Sequence, residues 1–450
     1  MSDVVARVQE VLPSVRSDLE DLVRIESVSA DPARRDEVQR SAKAVADLLE
    51  AAGFDDVSVV AEGGAPAVIA RHPAPPGAPT VLLYAHHDVQ PEGDPAQWSS
   101  SPFEPTERDG RLYGRGTADD KAGIATHLAA FRAFGGEPPV GVTVFVEGEE
   151  ESGSPSLSTL LAAHRESLAA DVIVIADSDN WSTERPALTV SLRGLTDCVV
   201  EVATLDHGLH SGLWGGVVPD ALTVLVRLLA SLHDDDGNVA VAGLHEGSAA
   251  DSDITADHGP DWVREESGLL PGVSEIGSGS VVRRLWAKPA VTVIGIDATP
   301  IGKSSNTLIP RARAKISMRV APGGDARAHL DALTRHLEAH VPWGAALTVT
   351  PGDIGQPYAI DAAGPVYDAA RAAFTQAWGA EPVDMGMGGS IPFIAEFAAA
   401  FPDATILVTG VEDPRTQAHS VNESLHLGVL ERAATAEALL LEKLGTPGAG

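Results

Sequence analysis

Apolar residues recur along this chain in two alternating rhythms, and together they outline a layered α/β protein. Val38, Val45, Leu48 and Leu49 fall at helical spacing over about residues 36–52, and Gly53 follows as a stop signal. Short apolar runs at Val57–Val60, Ala67–Ala70 and Val81–Ala85 have the length of strands. A helix is predicted from Lys121 to before Gly135–Gly136. Strand Val142–Val146, a helix near Leu157–Leu168 and strand Val172–Ala176 follow. Strands that alternate with helices predict a mostly parallel sheet flanked by helices.

After Pro186 the pattern changes. Leu188–Leu192 and Cys198–Ala203 flank Arg193–Gly194, and a long helix is predicted from about Pro219 to Leu232. Residues 234–280 are rich in Asp, Gly and Ser with weak periodicity, and read as a decorated loop with short helices. Strands at Ala290–Ile296 and Ala312–Val320 and a helix at about 326–340 complete an inserted α+β segment. The α/β pattern then resumes with a helix at about 364–378, a turn at Gly386–Gly389, strand Thr405–Val408 and a last helix from Ser424 to Leu441. Gly445–Gly450 reads as a disordered end. The expected division is 1–187 and 358–450 for one α/β domain, with 188–357 inserted into it.

Composition narrows the picture. A chain of 450 residues exceeds the size at which one core stops growing, so more than one domain is expected. The formal net charge of -32 repels nucleic acid and acidic membrane surfaces alike. Cys198 is the sole cysteine, which excludes an intrachain disulfide; it reads as a small buried strand residue. No apolar run reaches the roughly eighteen residues of a membrane span. Met1–Glu10 lacks the basic-then-apolar pattern of a secretory leader, so a cytoplasmic location is expected.

The candidate chemistry lies in five polar clusters, most of them just after apolar strands, where open α/β sheets place their sites. The first is Tyr84-Ala85-His86-His87-Asp88-Val89-Gln90-Pro91. In a strand His86 and Asp88 point the same way, and a carboxylate so placed can fix the tautomer of the imidazole. The second, Tyr113 to Gly123, carries a Gly-rich turn and then Asp119-Asp120, of which one can bridge two cations while the other caps a helix. The third is Glu147-Gly148-Glu149-Glu150-Glu151-Ser152-Gly153-Ser154, where crowded carboxylates repel one another and a cation relieves them. The fourth is Asp177-Ser178-Asp179 and the fifth Ala418-His419-Ser420-Val421-Asn422-Glu423. Read singly, each is also compatible with a solvated loop or an acidic helix cap. Together, hard oxygen donors mixed with imidazole suit zinc, manganese or cobalt. The absence of a cysteine cluster argues against a structural zinc site.

These motifs together resemble the M20 family of metallopeptidases, over about residues 10–443. The resemblance implies two divalent cations, zinc foremost, and amide hydrolysis. It implies that His86, Asp119 and Asp177 hold one cation, with Asp179 as the runner-up to Asp177. Asp119, Glu151 and His419 would hold the other. Asp88 would support His86, Glu150 would act as general base, and His87 and Glu149 would take no direct part. The inserted segment resembles the family's lid, which pairs into a homodimer. Its His210 would reach a partner's active site to stabilise the oxyanion, although Gly208 replaces the usual acidic residue nearby. Asn306, Arg319 and the loop Gly388, Gly389 and Ser390 match substrate-binding positions; Gly386-Met387 replace the Arg-Glu that relatives often carry. The function implied is hydrolysis of dipeptides or short peptides. The alternatives are an N-acyl amino acid deacylase or a glutamate-type carboxypeptidase, and more distantly a non-catalytic binding protein.

Overall fold

A computed structural model describes residues 3–247, 257–259, 261–388 and 392–446. The chain divides into two compact units. The first comprises Met1–Val190, Ile360–Met385 and Pro392–Gly450, and the second Ser191–Ala359 with Gly386–Ile391. Gly389, Ser390 and the end 447–450 lie outside the described residues, as do 248–256 and 260 within the stretch read as a decorated loop.

The first unit is built on a mixed sheet. Its strands run in the order Asp56–Val60, Ala67–His72, Gly141–Glu147, Thr80–His86, Val172–Ile175, Thr405–Val408 and Ala187–Leu192. The central four are parallel, while the pairings at either side are antiparallel. The expected α/β class therefore holds, with the parallel character confined to the middle. That is where burial is complete: Gly141–Glu147 and Val172–Ile175 are buried along their whole length. Both faces are covered, as continuous apolar strands require. Helices Asp3–Val23, Lys121–Ala133, Pro365–Trp378 and Leu427–Leu444 pack on one another over one core, and helix Pro392–Ala400 packs on Leu157–Ala163. Tyr84 closes a ring cluster with Phe145, Phe393 and Phe397.

Helix Asp3–Val23 is absent from the sequence reading. Its buried residues Val4, Val8, Val15, Leu19 and Leu22 lie at helical spacing, but Pro13 sits inside the pattern. Proline removes one backbone donor and clashes with the preceding turn. Here burial of a complete apolar stripe outweighs that cost. The predicted helix at Leu157–Leu168 is two short pieces, Leu157–Ala163 and Arg165–Leu168. The last helix begins at Leu427 rather than Ser424, because Ser424–His426 pairs as a strand with Arg111–Tyr113.

The second unit carries a four-stranded antiparallel sheet in the order Ala290–Asp297, Arg311–Val320, Gly194–Ala203, Ala346–Gly355. Helices Ala221–Ala230 and Ala326–His340 pack on it. Cys198 is buried in the Gly194–Ala203 strand. Among the described residues no helix is long and apolar enough to cross a membrane.

Leu19 is fully buried in the first unit's core. Leu19→Ala should destabilise that unit by about 2–5 kcal/mol, through lost transfer energy and the cavity left behind. Urea denaturation followed by tryptophan fluorescence measures this; a change below about 0.5 kcal/mol, typical of a surface position, would show that the helix is not an integral part of the core.

Candidate metal centre

The parallel strands bring their C-terminal ends to one edge. His86 stands opposite Glu147 and Tyr84 opposite Ile175, while Val408 is level with Ile175. The chain leaving each strand therefore starts from a common line. From there come Asp88, the 149–151 turn, Asp177 and the loop that holds His419. Asp119 precedes helix Lys121–Ala133, which packs against the Thr80–His86 strand.

Five predicted ligands converge. Asp119 is shared between two histidines, with Oδ1 3.1 Å from His86 Nε2 and Oδ2 2.9 Å from His419 Nε2. Asp177 Oδ2 lies 3.9 Å from His86 Nε2, and Glu151 Oε2 lies 3.3 Å from His419 Nε2. Tetrahedral zinc, with ligands at about 2.0–2.1 Å, separates its donors by about 3.3 Å, so these spacings suit a cation between them. Asp120 also brings an oxygen to the side of His86 and Asp177. Its carboxylate is already engaged, however. Oδ2 accepts from the His86 backbone N–H at 3.2 Å, and Oδ1 accepts from Gly123 N–H at 3.1 Å, which caps the helix. Asp120 thus caps the helix, while Asp119 presents one oxygen to each histidine. Asp179 is not grouped with either set of donors and is placed beside Glu412 in a short parallel bridge.

The surrounding hydrogen bonds aim the donors. His86 Nδ1 lies 3.0 Å from the backbone carbonyl of Asp88 and 3.4 Å from its carboxylate. Donation from Nδ1–H leaves Nε2 as a bare lone pair, and that nitrogen is buried without a hydrogen-bond partner among the described residues. It faces carboxylate oxygens, an arrangement that repels unless a proton or cation lies between. This is the observation that the donor set fits a metal. The Asp88 carboxylate meanwhile accepts from the backbone N–H groups of Glu150 and Glu151, at 3.2 and 3.1 Å. It thus ties the histidine strand to the glutamate turn. Glu150 reaches within 3.9 Å of His86 Nε2 and remains partly accessible. His419 is the most open donor, its side chain 60 % exposed.

Electrostatics point the same way. Hydrogen bonds to Asp119 and Glu151 raise the His419 pKa to about 11. Burial would lower that of His86, but Asp119 and Asp88 raise it well above the usual imidazole range. Burial pushes Asp177 up to about 7 and Glu150 well above an ordinary glutamate. Asp119 is held low, since the two histidines outweigh its burial. The pocket thus collects positive charge as protons when no other cation supplies it.

Several participants lacked an assigned role in the sequence reading. Gln90 holds both oxygens of Glu151, through its backbone N–H at 3.0 Å and its side-chain amide at 2.7 Å. Tyr84 donates to Glu147 at 2.8 Å, and burial pushes that glutamate up to about 7. Both residues stood inside quoted motifs, but only tertiary geometry reveals what they hold. Gly148 is required for space, because a Cβ there would meet the Pro66 carbonyl at 2.2 Å. His87 is buried with Nε2 2.8 Å from the same carbonyl, and Glu149 accepts from Ala65 and Ser156, so both brace the loops.

In the second unit, His210 is exposed and pairs with Thr307 in a two-residue ladder beside Asn306. Its Nδ1 accepts from Gly212 N–H at 3.0 Å. Arg319 pairs with Leu195 across the antiparallel sheet. Gly388 is held by Arg193, whose Nε donates to its carbonyl at 3.1 Å. Arg193 was visible in sequence only as part of a turn.

A site of this kind, with a shared carboxylate flanked by two imidazoles and two further carboxylates, defines a two-metal hydrolase. The chain belongs to peptidase family M20/M25/M40, whose model matches residues 82–443. It is similar to a cysteinylglycine-S-conjugate dipeptidase of Corynebacterium striatum, with 34% identity over 434 residues and 95% of each chain covered. It is 30% identical over 438 residues to a Beta-Ala-His dipeptidase of Homo sapiens, covering 91% of this chain and 85% of that one. The crystal structure of human carnosine dipeptidase 1 superposes with a TM-score of 0.82 at 27% identity, over 98% of each chain. The protein is a metallopeptidase that hydrolyses peptide bonds and releases amino acids.

Cation binding must displace protons from groups held above their usual pKa, among them Asp177 at about 7 and both histidines. Apparent affinity should therefore rise with pH from 6 to 8, with protons released on binding. Titration calorimetry in buffers of different ionisation enthalpy measures both; a flat affinity without proton release would contradict this assignment.

Proposed function

We propose that the protein is a dipeptidase that works with two divalent cations, zinc foremost and manganese or cobalt as alternatives. His86, Asp119 and Asp177 hold one cation, and Asp119, Glu151 and His419 the other. The single observation that carries this reading is the Asp119 carboxylate, with one oxygen on each histidine. When bound, the cations lower the pKa of water and polarise the scissile carbonyl. Glu150 takes a proton from the attacking water and returns it to the leaving amine. Its raised pKa reflects burial and neighbouring acids; cations held beside it would lower that pKa and leave Glu150 ionised, able to accept a proton. Asp88 fixes the His86 strand against the Glu150 turn, so base and ligands move as one piece.

The second unit supplies recognition in this reading. Arg319 grips the substrate's terminal carboxylate, a group that a guanidinium can bind bidentately. Asn306 and the loop from Gly388 to Ser390 bind the peptide backbone. His210 serves a partner subunit's site as an oxyanion donor, and the homodimer forms through this unit. Two features support that pairing: the edge strand Ala290–Asp297 exposes Val293, Ile294 and Ile296, and Leu213 and Trp214 are exposed next to His210. Both curated relatives carry dipeptidase names with different substrates, which supports the dipeptide class without choosing its side chains.

A panel of dipeptides and N-acyl amino acids, read by release of free amino acids, tests the reading. Wild-type protein should turn over dipeptides, while Glu150→Gln should keep its metal content and lose about a hundredfold to ten-thousandfold in kcat. Turnover of acylated compounds alone would sink the dipeptidase reading. Unchanged turnover by Glu150→Gln would sink the base.

A further inference from the structure

Arg115 and Glu423 stand in two of the sequence clusters, yet neither is among the grouped metal donors. Both are buried, and they form an ion pair of 2.7 Å between Arg115 Nη1 and Glu423 Oε2. Burying such a pair is costly, and hydrophobic residues of similar volume often serve stability as well. Its other hydrogen bonds indicate a different use. Glu423 Oε2 also accepts from Gly116 N–H at 3.1 Å, and Oε1 accepts from the N–H groups of Ala118 and Asp119 at 3.1 and 3.2 Å. One carboxylate thus fixes the backbone turn that ends at the bridging ligand. Its partner reaches the other way. Arg115 Nη2 donates to the carbonyls of Ser420 at 3.0 Å and Pro91 at 3.3 Å. Ser420 is the neighbour of His419, and Pro91 follows the segment that carries His86, Asp88 and Gln90. Gly114 N–H closes the arrangement on the Glu423 carbonyl at 3.0 Å.

We infer that Arg115 and Glu423 are positioning residues for the metal centre, setting the Asp119 turn in register with the His419 loop. This inference rests on Asp119 and His419 being ligands. The Glu423 carboxylate holds the Asp119 turn directly, through the N–H groups of Gly116, Ala118 and Asp119. The His419 side is the more exposed, and His419 itself has a left-handed backbone with φ 60°. Such a backbone persists where its surroundings over-determine it. Glu423→Gln is the sharpest perturbation. The amide keeps the volume but carries one donor end. In either orientation that end meets N–H donors, either Arg115 and Gly116 or Ala118 and Asp119.

The test is cation titration of metal-free protein in the absence of substrate, with zinc as the probe. Wild-type protein should bind two zinc ions. Glu423→Gln should weaken zinc binding at both sites, because Asp119 is common to them, and by about 10–100-fold at the one that includes His419, as expected when a group that orients a ligand is lost. Arg115→Lys keeps the charge but cannot span Glu423, Ser420 and Pro91 together, and it should weaken the same site. Glu423→Asp should fall between wild type and Glu423→Gln, and it serves as the measurement if the glutamine variant does not fold. Two wild-type affinities in Glu423→Gln or Glu423→Asp, with or without a lower melting temperature, would overturn the inference and leave the pair a structural one. His419→Ala separates the premises. If it retains two wild-type sites, the ligand reading itself fails. If it loses one while Glu423→Gln loses none, only the positioning role fails.

Discussion

A buried carboxylate shared by two imidazoles organises this molecule. Asp119 presents one oxygen to His86 and the other to His419, and around them Asp177, Glu150 and Glu151 add further carboxylates, each partly exposed. Left to themselves these groups repel, and the pocket answers by holding protons on residues that would ordinarily lack them. Divalent cations relieve the same repulsion and supply chemistry as well. The energetic demand and the catalytic capacity are thus one property of one cluster.

The sheet makes that cluster affordable. Parallel strands end on a common edge, so residues distant in sequence leave the sheet side by side. Each exit is then braced by further hydrogen bonds. Asp88 joins the histidine strand to the glutamate turn, Gln90 holds both oxygens of Glu151, and Asp120 caps the helix behind the bridge. Lys121 closes the rear. Burial lowers its pKa to about 7, and its ammonium donates to the carbonyls of Leu22 and Ile25 at the end of the first helix. The N-terminal helix is therefore tied directly to the segment that follows Asp119.

How much of this could be read beforehand differs by level. The strands Val81–Ala85, Val142–Val146 and Val172–Ala176 were legible because full burial leaves continuous apolar runs, and polar clusters directly after them marked the site edge. The convergence of His86, Asp119, Asp177, Glu151 and His419 was legible only through the combined motif resemblance, since spacing alone left Asp119 and Asp120 open. Their difference is geometric: the Asp120 carboxylate accepts from backbone N–H groups, and the Asp119 carboxylate faces both histidines. Gln90 and Arg193 were hidden for the same reason, because an amide or guanidinium in a motif does not announce which loop it will hold. The first helix was hidden by Pro13, a local breaker overruled by a buried stripe that only the folded core explains.

The most direct test of the shared carboxylate is anomalous X-ray diffraction from crystals grown with zinc, with data on both sides of the zinc edge. The account predicts two anomalous peaks within about 2.0–2.3 Å of their donors, one on His86 and Asp177, the other on Glu151 and His419, with an oxygen of Asp119 at each. A single peak, or a second ion held by Asp120 or Asp179 in place of Asp119, would contradict it.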